Sequence, residues 1–238
     1  VRKLSEGRLA SIKELYSMGI EDKEIAFLFF QTSGVLLRTQ ELGLVFDIAG
    51  SLKAREMNEI KADFQFYTHI HGDHFSLPKA QSFYKKSGAH LIGPGDVIEA
   101  AAKKIPAGDL TEVEPSRTST RYKVKGLDIW AVRGVHSGPF SQYRVKMKGV
   151  CVFHAGDSGY FGMGKQAADI AFLPTGMPSP WCAPEVALAM ARNIKPKIAV
   201  ATHGNDKQRQ EFKRIMKSEM PEVEVIVPEE FKVVSVRI

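Results

Sequence analysis

The segment Thr68-His69-Ile70-His71-Gly72-Asp73-His74-Phe75 constrains this chain more than any other. It puts three histidines and one aspartate within six residues, directly after the β-rich run 64–68. At the chain's own His and Asp frequencies, that pattern arises by chance in roughly one chain of a few thousand. His69 and His71 are two apart, so on extended backbone they share a face, and a turn at Gly72 is expected to bring Asp73 and His74 to the same region. Imidazole and carboxylate are the donors that suit zinc, manganese or iron. A fold built around this segment must therefore end a strand at a loop where other ligands converge.

The rest of the chain offers such ligands at other strand ends. His136 follows the apolar run 127–132, Asp157 follows 150–153 within His154-Ala155-Gly156-Asp157-Ser158, and His203 follows 198–202. Asp47 follows Val45-Phe46 and precedes Ala49-Gly50, in the motif 45–50. His90 has no partner pattern and reads as structural, and His154, three residues before Asp157 on a strand, stays open between a structural residue and a supporting neighbour of the site. Arg133, Ser137 and Trp181 lie beside these strand ends and are candidates for holding a substrate, the arginine through an anion and the tryptophan as an apolar wall.

Periodicity gives an amphipathic helix over 8–18, strands over 25–30, 34–39 and 43–48, and helices over 77–87 and 96–104. A second block of strands covers 122–124, 127–132, 143–147, 150–153 and 170–173. Pro184 opens a helix over 185–193, and strand 198–202, helix 207–218 and strands 223–227 and 231–236 complete the chain. This order predicts an α+β protein, a four-layer αββα sandwich, built as one domain over 1–238 with residues 1–22 as a helical extension. No internal repeat is visible.

Composition narrows the function classes. The 238 residues are 44% hydrophobic and 25% charged, which excludes disordered and fibrous chains. The longest apolar run, 25–30, is far short of the roughly 20 residues a membrane span needs. The charged N-terminal segment has no apolar stretch behind it, so a secretory signal is not expected. With only Cys151 and Cys182, no disulfide framework is expected, and a cytoplasmic setting follows. A net charge of +6 favours an anionic small molecule or nucleic acid as partner, and a homo-oligomer stays open.

These residues carry a resemblance. The sequence resembles metallo-β-lactamase-fold hydrolases, whose His-x-His-x-Asp-His motif is matched in full by His69, His71, Asp73 and His74. The family's later histidine, bridging aspartate and last histidine are matched by His136, Asp157 and His203, and its first-motif aspartate by Asp47. Within that superfamily the chain most resembles the small single-domain branch of ascorbate-6-phosphate lactonase-like proteins, through 168–176, 184–187 and Thr202-His203-Gly204. It departs at Thr68 and Gly72, where that branch often has Ser and Tyr. Thr-His-x-His-Gly-Asp-His is also similar to the tRNA-processing endonuclease RNase Z, although the Gly-Leu-Pro-Gly that follows there is Ser76-Leu77-Pro78-Lys79 here.

The resemblance implies two divalent ions, Zn2+ first and Mn2+ or Fe2+ as alternatives. His69, His71 and His136 would hold one, Asp73, His74 and His203 the other, and Asp157 would bridge them. It implies a metal-bound hydroxide attacking an ester, lactone or phosphodiester of a small substrate that can carry a phosphate. Asp73 would be the catalytic group, and Asp47 would orient the histidines. An RNase Z-like RNA endonuclease is the alternative activity, and a redox or regulatory binder on the same fold is a third class.

Overall fold

A computed structural model describes residues 2–49 and 52–238. Val1, Gly50 and Ser51 lie outside the described residues, and with them the start of the charged N-terminal segment and the end of the 45–50 motif. The chain forms two compact units, Val1–Glu112 with Glu229–Arg237, and Val113–Pro228 with Ile238.

In the first unit, helix α1 (Arg2–Ser17) precedes three antiparallel strands, β1 (Glu24–Phe29), β2 (Val35–Arg38) and β3 (Gly43–Phe46). Ile12 and Leu15 of α1 are fully buried in the core with Ala26, Leu28, Leu36 and Val45. A short helix α2 (Ala54–Met57) leads to β4 (Phe64–Phe66), and helices α3 (Leu77–Ser87) and α4 (Gly95–Ala101) separate β4 from β5 (His90–Gly93) and β6 (Leu110–Glu112). Strands β3 to β6 are parallel. Parallel neighbours need crossovers, and α3 and α4 supply two of them. Every residue of β3, β4 and β5 is buried, as expected of a parallel sheet covered on both faces.

The second unit opens with an antiparallel meander, β7 (Thr120–Val124), β8 (Leu127–Arg133), β9 (Ser141–Met147) and β10 (Val150–His154). Lys125 and Gly126 close the first hairpin, both at positive φ (47° and 89°), the two-residue turn whose twist matches the flanking strands. Parallel strands β11 (Ile170–Pro174), β12 (Ile198–Thr202) and β13 (Glu224–Ile226) follow, joined through helices α5 (Pro184–Ile194) and α6 (Asp206–Glu219). Ala187, Met190, Ala191 and Ile194 of α5 and Phe212 and Met216 of α6 pack with Ala171, Leu173, Ala199 and Ala201 in one core. The chain then returns to the first unit, where β14 (Val233–Arg237) pairs antiparallel with β1.

The two sheets have the orders β14-β1-β2-β3-β4-β5-β6 and β7-β8-β9-β10-β11-β12-β13. Both run antiparallel through their first three pairings and parallel through their last three. The units thus repeat one strand plan that the sequence does not display. In both, the chemistry-bearing residues follow the carboxyl ends of strands, where sheets of this kind hold ligands.

Candidate metal centre

In the first unit, the histidine segment starts two residues beyond β4. Thr68, His69 and His74 are buried, while His71 and Asp73 are exposed. The carbonyl of His71 accepts from the amides of His74 (2.9 Å) and Phe75 (2.8 Å), and this closed turn brings His74 back towards His69. The ring of His69 lies 4.5 Å from that of His71 and 4.2 Å from that of His74, centroid to centroid. Phe75 packs edge-on to buried Tyr67 at 5.0 Å, and α3 begins at Leu77, so the turn is anchored on both sides.

Asp47 organises this cluster. Its Oδ1 accepts from the Thr68 amide (2.7 Å), and its Oδ2 accepts from the Thr68 hydroxyl (2.8 Å) and meets His74 Nδ1 (3.0 Å). The Thr68 hydroxyl has one proton, and the carboxylate takes it. His69 Nδ1, 3.0 Å from that hydroxyl oxygen, is therefore the donor in its own contact. One buried carboxylate thus fixes the proton on Nδ1 of two rings, directly for His74 and through Thr68 for His69. In the neutral rings, Nε2 then carries the lone pair a cation needs. Asp47 does this from left-handed backbone (φ 46°), uncommon for a residue with a side chain and characteristic of functional positions.

His74 Nε2 lies 3.4 Å from Asp73 Oδ2. In this tautomer the His74 Nε2 lone pair also faces a carboxylate oxygen, and a carboxyl group is ionised at neutral pH.

The second unit has its own cluster. His136 follows β8, with Nδ1 donating to the Ser137 carbonyl at 3.1 Å and Nε2 3.2 Å from Asp157 Oδ2. Its ring stacks on Phe140 at 5.1 Å. Ser158 ties the two loops together, accepting from the Val135 amide (2.8 Å) while its hydroxyl donates to the Gly159 carbonyl (2.6 Å). The Asp157 carbonyl accepts from the Ser179 hydroxyl (2.9 Å) and the Cys182 thiol (3.0 Å), which clamps it from the 177–182 loop. His203 follows β12 at φ 44°, its Nδ1 donating to the Gly176 carbonyl at 2.8 Å and its Nε2 4.0 Å from Asp157 Oδ2. The Thr175 hydroxyl donates to the His203 carbonyl at 2.7 Å and holds the strained residue in place.

This arrangement calls for positive charge between the rings and the carboxylate. A carbonyl only accepts, so Nδ1 of His136 and of His203 carries the proton, and in the neutral rings both Nε2 lone pairs face one carboxylate oxygen. Lone pair against carboxylate is repulsive unless something positive lies between. Protonating both rings would set two imidazolium groups against each other. A divalent cation beside each histidine, with the carboxylate serving both, would remove the repulsion, and the donor set of imidazole and carboxylate fits zinc, manganese or iron.

The remaining sequence candidates are placed as follows. His154 is buried, and its Nδ1 accepts from the Gly156 amide at 3.3 Å, shaping the turn that presents Asp157. His90 is buried in β5 and meets Thr111 Oγ1 at 2.8 Å. Arg133 and Ser137 are exposed, and Trp181 is 45% exposed. Burial pushes the Cys151 thiol up to about 11 and the Cys182 thiol up to about 12, so neither is a nucleophile at neutral pH. Sequence reading missed Ser158, Thr175 and the linking role of Thr68, because their partners lie 21 to 28 residues away or depend on which atom donates.

Residues 26–203 match the model of the beta-lactamase superfamily domain. A UPF0173 metal-dependent hydrolase of Staphylothermus marinus is 30% identical over 195 residues, covering 74% of this chain and 79% of its own. One of Thermococcus kodakarensis is 29% identical over 205 residues, 77% of this chain and 87% of its own. Among solved structures, the metallo hydrolase Igni18 of Ignicoccus hospitalis aligns with a TM-score of 0.74 at 20% identity, over 90% of this chain and 99% of that one. The metallo-beta-lactamase fold protein YhfI of Bacillus subtilis aligns at 0.69 and 15% identity, over 91% and 100%. The short form of human tRNase Z aligns at 0.64 and 20%, over 90% and 100%.

Proposed function

The chain belongs to the beta-lactamase superfamily as a metal-dependent hydrolase with the metallo-β-lactamase fold, and from that premise we propose that it hydrolyses an ester, lactone or phosphodiester bond of a small anionic substrate at a pair of divalent ions. Zinc is the first candidate metal. The assignment of ligands follows the resemblance: His69, His71 and His136 for one ion, Asp73, His74 and His203 for the other, Asp157 for both. The observation that carries the reading is the set of Nε2 lone pairs aimed at carboxylate oxygens, each ring locked through its Nδ1.

When bound, divalent ions supply Lewis acidity and lower the pKa of a coordinated water from 15.7 towards about 7. The chain's own residues do the rest. Asp47 and Thr68 hold His69 and His74 in one tautomer, and Gly176 does the same for His203. Asp73 is about half exposed (49%), with Oδ2 against His74, and Oδ1 is the oxygen proposed to take the proton of the attacking water. A carboxyl group is ionised at neutral pH, so Asp73 orients the water and passes its proton on.

No helix among the described residues is long and apolar enough to cross a membrane, and the two free thiols suit the reducing cytoplasm. The test is a panel of esters, lactones and phosphodiesters with zinc, manganese or iron added, on wild type and Asp73→Ala. Metal-dependent turnover lost in the variant is expected; no turnover with any metal contradicts the reading. A second reading, RNA cleavage, is favoured by the +6 charge and the Thr68–His74 pattern. It requires RNA binding that weakens steeply with salt, and binding that is absent or insensitive to salt removes it.

A further inference from the structure

The second unit carries a cavity of about 370 Å3 walled by Arg117, Arg133, Gly134, Val135, His136 and Phe161. The cavity's lining includes two arginines, both exposed, and among the described residues no carboxylate. Backbone pairing explains how residues 16 apart in sequence meet there. Ser116 forms a parallel bridge with Val132, and the Arg133 amide donates to the Ser116 carbonyl at 3.0 Å. On its other side, the Arg117 carbonyl accepts from the Gly164 amide at 3.0 Å, and a side chain at 164 would meet the Thr118 backbone at 3.2 Å. The Arg117 guanidinium lies 5.4 Å from the centre of the Phe161 ring, a cation–π contact that orients it. Arg121, Arg192, Arg209 and Arg214 each pair with a carboxylate. Neither Arg117 nor Arg133 does so among the described residues.

We propose that Arg117 and Arg133 anchor a phosphate monoester group of the substrate that is not itself the group cleaved. The inference rests on the hydrolase reading above and names its substrate class: a small ester or lactone bearing a phosphate. Two guanidinium groups match a dianion in charge, and their planar forks match phosphate oxygens in geometry. A single carboxylate would neutralise only one of them. The anchor is coupled to the metal-ligating cluster by covalent connection, since Arg133 is three residues from His136 and their Cα atoms are at most about 11 Å apart. That link is stiff. A Cβ at Gly134 would fall 2.2 Å from the Phe140 ring, the ring that stacks on His136. The substrate is thus held by its phosphate beside His136, with Phe161 offering an apolar face.

The test titrates inorganic phosphate by calorimetry into full-length protein stripped of metal with a chelator and dialysed, so that no metal can take up the anion. Saturable one-to-one binding is expected, weakened at least tenfold by Arg117→Ala and by Arg133→Ala, with Arg→Lys variants at either position in between. Acetate should bind at least tenfold more weakly than phosphate. A thermal transition at the wild-type temperature shows that each variant is folded. No phosphate binding to wild type, equal binding in both folded alanine variants, or acetate binding as tight as phosphate overturns the proposal. Metal content measured on the same proteins before stripping separates the two readings. Missing metal in wild type counts against the hydrolase reading, whereas lost phosphate binding with metal present counts against the anchor alone.

Discussion

Replacing Thr68 by valine removes one hydroxyl at almost constant volume and cuts the only link in this scheme between Asp47 and His69. In the native protein that hydroxyl donates to Asp47 Oδ2 at 2.8 Å and accepts from His69 Nδ1 at 3.0 Å, all three groups being buried. A hydrogen bond to a charged group is worth about 1.5–3 kcal/mol, and a buried donor that loses its acceptor costs about 1–3 kcal/mol. The metal-free protein should therefore lose about 2.5–6 kcal/mol, from a total of about 5–15 kcal/mol. Freed of its lock, His69 samples the tautomer with a proton on Nε2, and losing such an orienting partner costs about 10–100-fold in metal affinity. Urea denaturation of stripped protein reads the first effect, and competition with a chromogenic chelator the second. Thr68→Ser keeps the relay and loses one methyl, about 0.8 kcal/mol, with metal affinity unchanged. Valine equal to wild type in both assays, or serine as damaging as valine, refutes the relay.

Three further outcomes follow from the same geometry. Asp47→Asn keeps a residue type that tolerates the left-handed backbone (φ 46°) but removes the carboxylate that accepts from Thr68 and His74; metal affinity should fall about 10–100-fold with metal-free stability down by about 2–4 kcal/mol, and wild-type values in titration and denaturation would exclude the orienting role. His203→Gly should abolish activity yet leave the metal-free protein about 1 kcal/mol more stable than His203→Ala, because only glycine adopts φ 44° without strain; an alanine variant at least as stable in urea denaturation argues against strain there. Alkylation by iodoacetamide at pH 8 should be slower in native than in unfolded protein by roughly two to three orders of magnitude, since raising the thiols to about 11 and about 12 favours the neutral, unreactive form; rapid native labelling that abolishes activity would reinstate a cysteine mechanism.

The candidate ligands were legible because metal chemistry demands rare residue types, and those types stand out wherever they fall. Strand ends were legible from apolar runs that stop at His69, His136, Asp157 and His203. Boundaries moved by a few residues: the expected strand 64–68 is Phe64–Phe66, because Tyr67 and Thr68 are spent on the loop that Asp47 organises, and the expected helix 8–18 is Arg2–Ser17. Strand β6 was not visible, since its three residues are half-exposed or exposed and show no alternation. The turn expected at Gly72 is present, closed by the His71 carbonyl, and a side chain at 72 would touch nothing within 4 Å, so it does not depend on glycine. The left-handed backbone of Asp47 and His203 left no mark in the sequence, because neither is a glycine or an asparagine. The repeated strand plan was hidden as well, since hydrogen-bonding topology places no demand on residue identity beyond apolar character.

Metal content per chain tests the central claim most directly. Elemental analysis of protein loaded with zinc and freed of excess should give two ions per chain for wild type, and one or fewer for His69→Ala in the first unit and for Asp157→Ala in the second. Fewer than one ion in the folded wild type, or the same content in both variants as in wild type, would contradict the account.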